Sequence, residues 1–244
     1  MADNVNPKTT WVLSSPESFL TPFIVKAIED SGVGKAMSLE YFSSEAKSEE
    51  ISDRVVAVAC DNVDIQMLKD KSADFNRLII IKTPGMQKVD FDCQTVEVFT
   101  GWIIGTGMTG MPMRLLKAIN SGLYFHVDGV ETGPREIVHA ADLAAAIVAL
   151  GLDENAPVTV HFHDGTTPRL KEIAEAFATR LNGKRIYMLS RRAAKWVQTL
   201  LGTRDLYDLT IEQTSTTQPT EIKGVIPRDT LRFIMTHNYG NEDI

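Results

Sequence analysis

Apolar and polar positions along this chain alternate between two periods. Thr10–Ser15 (TWVLSS), Lys35–Phe42 (KAMSLEYF), Arg54–Cys60 (RVVAVAC), Arg77–Thr83 (RLIIIKT) and Val96–Gly105 (VEVFTGWIIG) are short apolar or alternating runs that predict strands, two of them apolar enough to be buried on both faces. Between them, Phe23–Ser31, Val63–Phe75 and Pro112–Ser121 follow the helical period. Strands alternating with helices predict a parallel, doubly wound sheet of the α/β class.

The second half continues the mixture. His139–Leu152 is alanine-rich and predicts a helix suited to close packing. Ala156–Asp164 predicts a strand. The next helix is expected to take Thr167 as N-cap and Pro168 as its first residue. Leu170, Ile173, Ala174, Phe177 and Leu181 supply its apolar stripe, and Gly183 ends it. A strand in RIYML and helices at Arg191–Leu201 and Pro227–His237 close the pattern. The expected organisation is a disordered tail over 1–9, a nucleotide-binding-type domain over 10–150, and a smaller α+β lobe over 151–244 packed with it as one unit.

The composition narrows the function classes. With 43% apolar residues in 244 the chain is globular and large enough for a sizeable core. A net charge of -7 without a dominant Lys/Arg cluster sets nucleic acid aside. No apolar run reaches the length of a membrane helix, and the first ten residues hold no leader-like apolar stretch. Cys60 and Cys93 are not spaced for a metal or a redox pair and read as reduced thiols of a cytoplasmic protein.

Two motifs carry a resemblance. Thr132–Leu150 (TGPREIVHAADLAAAIVAL) follows T-G-x-R-[DE]-x-[IV]-H-V-x-D-[LV]-A at Thr132, Gly133, Arg135, Glu136, Val138, His139, Asp142, Leu143 and Ala144, with Ala140 replacing Val. Phe99–Gly107 (FTGWIIGTG) is similar to R-P-x-x-V-Y-G-P-G at Gly101, Ile103, Gly105 and Gly107, with Phe99 where Arg is usual. On these the chain resembles the extended short-chain dehydrogenase/reductases, the NAD-dependent epimerase/dehydratase family. The resemblance implies a Rossmann-like fold, NAD or NADP as cofactor, and a nucleotide sugar as substrate.

The resemblance also exposes two departures. The family's first turn, G-x-x-G-x-x-G, falls on Ser15, Ser18 and Thr21, so its spacing survives without its glycines. Those glycines permit a tight turn, close approach of main chain to pyrophosphate, and tight helix–strand packing. Pro22 lacks an amide and is expected to start the helix behind Thr21 as N-cap. Glu40 falls roughly where the family's ribose-binding acid stands, although a solvated strand-end carboxylate is the better account of it.

The second departure is the catalyst. The family uses Tyr-x-x-x-Lys on a helix, with a Ser or Thr at the end of the preceding strand. Thr83 is the weak candidate for that hydroxyl, but Thr83–Thr95 runs through a Pro84–Gly85 turn straight to the next strand, without a Tyr. Ser43–Asp53 is likewise too short for the helix, strand and helix usual there, so the sheet is expected to be compressed.

Among the remaining residues, Arg135 matches the arginine that holds the substrate diphosphate in nucleotide-sugar members; the plainer account is an ion pair with Glu131 or Glu136. Asp142 is expected to cap its helix. His161 and His163 share a strand face without an evident third metal ligand, so no metal is expected. Gly107–Met113 reads as a methionine-lined loop, and Trp196 and Leu200 as core or dimer surface. Two functional readings follow. One is a degenerate relative without dehydrogenase chemistry that binds a small anionic or nucleotide-like ligand near Ser15–Ser18 and Arg135, or a protein partner. The other is an active epimerase, dehydratase or reductase with a non-standard catalytic set.

Overall fold

A computed structural model of the chain describes residues 9–44, 51–60, 67–82, 90–129, 133–202 and 216–236. The expected tail up to Lys8, connector residues 45–50, the first four residues of the Val63–Phe75 helix, Thr83 with the Pro84–Gly85 turn, Glu131, Thr132 and His237 lie outside them. Two compact units are present, each assembled from separate stretches of chain.

The first unit takes its described residues from 1–100, 140–162 and 219–226. Its strands are β1 (Thr9–Leu13), β2 (Gly34–Ser38), β3 (Arg54–Ala59), β4 (Arg77–Lys82), β5 (Gln94–Phe99) and β9 (Thr159–His161). They form one parallel sheet in the order β2-β1-β3-β4-β5-β9, with Trp11 beside Ala36 on one side and Val56 on the other. The doubly wound Rossmann-like class read from the pattern is the class observed.

Apolar side chains cover both faces of this sheet. On one face Val12, Ala57, Ala59, Leu78 and Ile80 pack with Leu39 of α2 (Leu39–Ser44), Leu68 and Phe75. On the other, Trp11 meets α4 (Ala140–Leu152), which packs against α1 (Thr21–Ser31). Small residues permit that approach: a Cβ at Gly151 would stand 2.3 Å from the Trp11 indole. Helix α1 buries Ile24 and Ile28, one turn apart, and Gly32 closes it in the left-handed region (φ 65°) by donating to Ile28 O and Glu29 O.

The second unit takes its described residues from 101–139, 163–218 and 227–244. It holds β6 (Trp102–Ile104) paired with β8 (Ile137–His139), and β7 (Phe125–Val127) paired with β10 (Tyr187–Leu189). Helices α3 (Gly110–Asn120), α5 (Leu170–Arg180), α6 (Arg191–Leu201) and α7 (Thr230–Thr236) complete it. The stripe expected on α5 is buried throughout.

Several boundaries differ from the sequence reading, each for a local reason. Lys35–Phe42 is a strand only to Ser38, whose Oγ accepts the Tyr41 amide at 3.2 Å and starts α2. Val96–Gly105 breaks at Thr100–Gly101 into β5 and β6, which belong to different sheets. Gly107–Met113 is a loop only as far as Thr109, where α3 begins. The expected Ala156–Asp164 strand shortens to β9. Helix α5 starts at Leu170, not Pro168: Arg135 N donates to Pro168 O at 2.9 Å and Pro134 bridges Arg169, which is extended (φ -73°, ψ 154°) and flanks the helix.

Candidate functional site

In a doubly wound sheet, ligands bind outside the carboxyl ends of the strands where the strand order reverses. Here that point lies between β1 and β3. Ser14, the first residue after β1, donates both its amide (3.2 Å) and its hydroxyl (2.9 Å) to Val58 O of β3. Ser15 O accepts the Ser18 amide (3.1 Å) and the Thr21 hydroxyl (2.6 Å). Ser18 O accepts the Thr21 amide (3.0 Å), and Ser18 Oγ accepts the Leu20 amide (3.4 Å). The residues at the family's three glycine positions therefore bond to one another.

These bonds wind the chain before α1 opens. Leu20, not Thr21, flanks the helix, in helical conformation (φ -79°, ψ -25°), and Thr21 is its first residue, turned back to Ser15 instead of capping. A helix start binds phosphate through first-turn amides that have no intrahelical partner. In α1 the amides of Thr21, Phe23 and Ile24 donate to Ser18 O, Leu20 O and Leu20 O, and Pro22 has none.

Elsewhere on this sheet, Glu40 is exposed in the first turn of α2, two residues past β2. Thr83 lies outside the described residues, but Lys82 before it ends β4 buried, 3.2 Å from Glu97 Oε1 on β5. Lys82 is in register with Phe99, whose ring stacks on His161 at 5.2 Å. The Lys82–Glu97 pair went unread in the sequence; its one signal is a lysine directly after the apolar run Leu78–Ile81.

In the second unit Arg135 is buried at the approach to β8, with Nη1 donating to Gly133 O (3.2 Å) and Pro134 O (3.4 Å). Its neighbour Glu136 accepts the Thr217 amide at 2.5 Å through Oε1. The motif histidine, His139, sets its ring edge-on to Phe233 at 4.1 Å. Asp142, which belongs to the first unit, is buried in the first turn of α4. His163 accepts the Gly165 amide at Nδ1 (3.2 Å), so Nε2 carries the proton donated to Thr217 O (2.8 Å). Among the described residues no group of three or more His, Cys, Asp or Glu is placed to hold a metal.

Sequence reasoning also missed Tyr124 and His126, buried 3.4 Å apart from Oη to Nδ1. Burial pushes the Tyr124 hydroxyl well up, with Arg135 opposing and Glu175 adding, so it keeps its proton beside the His126 ring. Burial lowers the His126 pKa, helped by the Lys171 charge and opposed by Glu175. A histidine held neutral in the folded state contributes stability that is full above its unfolded pKa of about 6.5 and is lost as pH falls through the lower folded value. Wild-type stability is thus expected to decline below about pH 6.5, and His126→Gln to flatten that slope in denaturant melts at several pH values.

No family model and no curated protein matches this sequence. Solved structures do match it in fold. Human epimerase family protein SDR39U1 (isoform 2), solved with NADPH, superposes with a TM-score of 0.58 at 14% identity, over 84% of this chain and 90% of that one. The GDP-mannoheptose C4 reductase of Campylobacter jejuni, with NADP bound, gives 0.55 at 10% identity over 75% and 87%. UDP-N-acetylglucosamine 4-epimerase from Bacillus cereus gives 0.53 at 11% identity over 83% and 99%. This chain has the Rossmann-like α/β fold of the extended short-chain dehydrogenase/reductases and NAD-dependent epimerases.

Proposed function

We propose that this chain keeps the frame of that fold without its dehydrogenase chemistry and binds a small anionic or nucleotide-like ligand through Arg135. One observation carries the reading: the first turn of α1 presents no open amide, because its N–H groups already donate to main-chain carbonyls. A pyrophosphate in the usual dinucleotide pose needs those donors. The residues present do not fit NAD or NADP there, and no hydride step is assigned. Ser15, Ser18 and Thr21 act as a structural plug, Glu40 as a solvated carboxylate. Cytoplasmic residence, and a protein partner or second copy in place of a small ligand, belong to the same proposal.

A second reading, an active nucleotide-sugar epimerase, dehydratase or reductase with a non-standard catalytic set, draws on buried Lys82 beside the Thr83 position. In its favour, human SDR39U1 and the Campylobacter reductase were solved with NADPH and NADP. Thermal melts separate the two. UDP or UDP-glucose at about 100 times its dissociation constant stabilises by about 2.7 kcal/mol, a rise of roughly 5–10 °C for a chain of this size. Arg135→Gln is expected to abolish that rise. A melting temperature that responds to NADP but not to any nucleoside diphosphate would favour the enzyme.

A further inference from the structure

We propose that helix α6 docks this protein on the surface of an anionic lipid bilayer. The inner face of α6 is settled: Ala194 packs with Phe125 and Val127 of β7, with Leu189 and Val197 against them, and Gln198 is buried. The opposite face is a row at one-turn spacing, Arg192, Trp196 and Leu200. Trp196 is 73% exposed and Leu200 78%, far more than a settled core or a plain solvated face presents.

Charge identifies what covers that row. From Gly183 to Gly202 the chain carries Lys184, Arg185, Arg191, Arg192 and Lys195 and no carboxylate, although the whole molecule has net charge -7. All five of these cations are exposed. A two-fold contact with a second copy would set these cations against their own images. An acidic protein would need a concave groove for a convex helix carrying an indole. A bilayer interface needs no matching shape: Trp and Leu enter the acyl boundary while Lys and Arg stay among anionic headgroups. No described helix is long and apolar enough to cross a membrane, so α6 lies on the surface.

Trp196 is its own reporter, because Trp11 is fully buried and Trp102 partly so. The full chain is mixed with vesicles of phosphatidylcholine alone or with added phosphatidylglycerol, and followed by co-sedimentation and tryptophan emission. Binding and a blue shift are expected with the anionic vesicles only, and both weaken as salt rises. Each Lys or Arg near an anionic surface strengthens binding about fivefold, so Arg192→Gln with Lys195→Gln is expected to weaken it roughly 25-fold. Trp196→Ser with Leu200→Ser is expected to lose it with unchanged circular dichroism, since both positions face solvent. No binding to anionic vesicles, equal binding to neutral ones, or variants that bind like wild type would overturn the proposal. So would an emission shift that tracks protein concentration in place of lipid, or appears only with an acidic protein.

Discussion

Arg77→Met is expected to lower stability by about 3 kcal/mol and the melting temperature by roughly 6–12 °C. Arg77 stands at the first position of β4, buried, with its guanidinium turned to the end of α4. Nη1 donates to Leu150 O and Asp153 O and lies 3.5 Å from Gly151 O; Nε and Nη2 donate to Gln94 Oε1 at 3.1 and 2.6 Å. Arg54 adds a bond to Gly151 O at 2.8 Å. A helix ends with four carbonyls lacking intrahelical donors and a partial negative charge, so one cation satisfies both. Burial and the neighbouring Arg54 charge lower the Arg77 pKa, countered by Asp153 and Glu154, yet an arginine stays protonated. Methionine preserves the volume and removes every donor. Calorimetry showing a loss below about 1 kcal/mol would mean that the helix end is satisfied without Arg77.

Gly101→Ala is expected to cost about 2–4 kcal/mol, the sum of overpacking and one lost rung. A Cβ at residue 101 would stand 2.0 Å from Glu136 O, which is main chain and cannot swing aside. The same oxygen accepts the Trp102 amide at 2.9 Å, the first rung between β6 and β8. Pushing it away opens that ladder. Hydrogen exchange is expected to accelerate over Trp102–Ile104 and Ile137–His139 while β1, β3 and β4 stay protected. Uniform acceleration would contradict the local account.

Gly101 also explains why the two motifs could be read while their chemistry could not. Gly101, Glu136 and His139 match family positions, and in this structure each is held by packing: a close main-chain approach, a carboxylate on Thr217, and a ring against Phe233. Such residues leave a sequence signature without any ligand. The alternation of periods gave the parallel sheet, and α6 was legible to its last residue because both its ends are capped locally, by Ser190 Oγ and by Gly202. What the pattern concealed depends on distant partners. Ser14 and Val58, Lys82 and Glu97, and Arg77 and Leu150 are far apart along the chain. Ser15, Ser18 and Thr21 showed that the glycines were gone, but only the fold shows the Thr21 hydroxyl and the Ser18 amide both closing on Ser15 O.

The closure of the β1–α1 turn is best tested by titrating the purified chain with NADPH while following nicotinamide emission and energy transfer from tryptophan. With the first-turn amides of α1 already bonded, no saturable change is expected up to millimolar cofactor. Saturation in the micromolar range would contradict the account and return this chain to the working dehydrogenases.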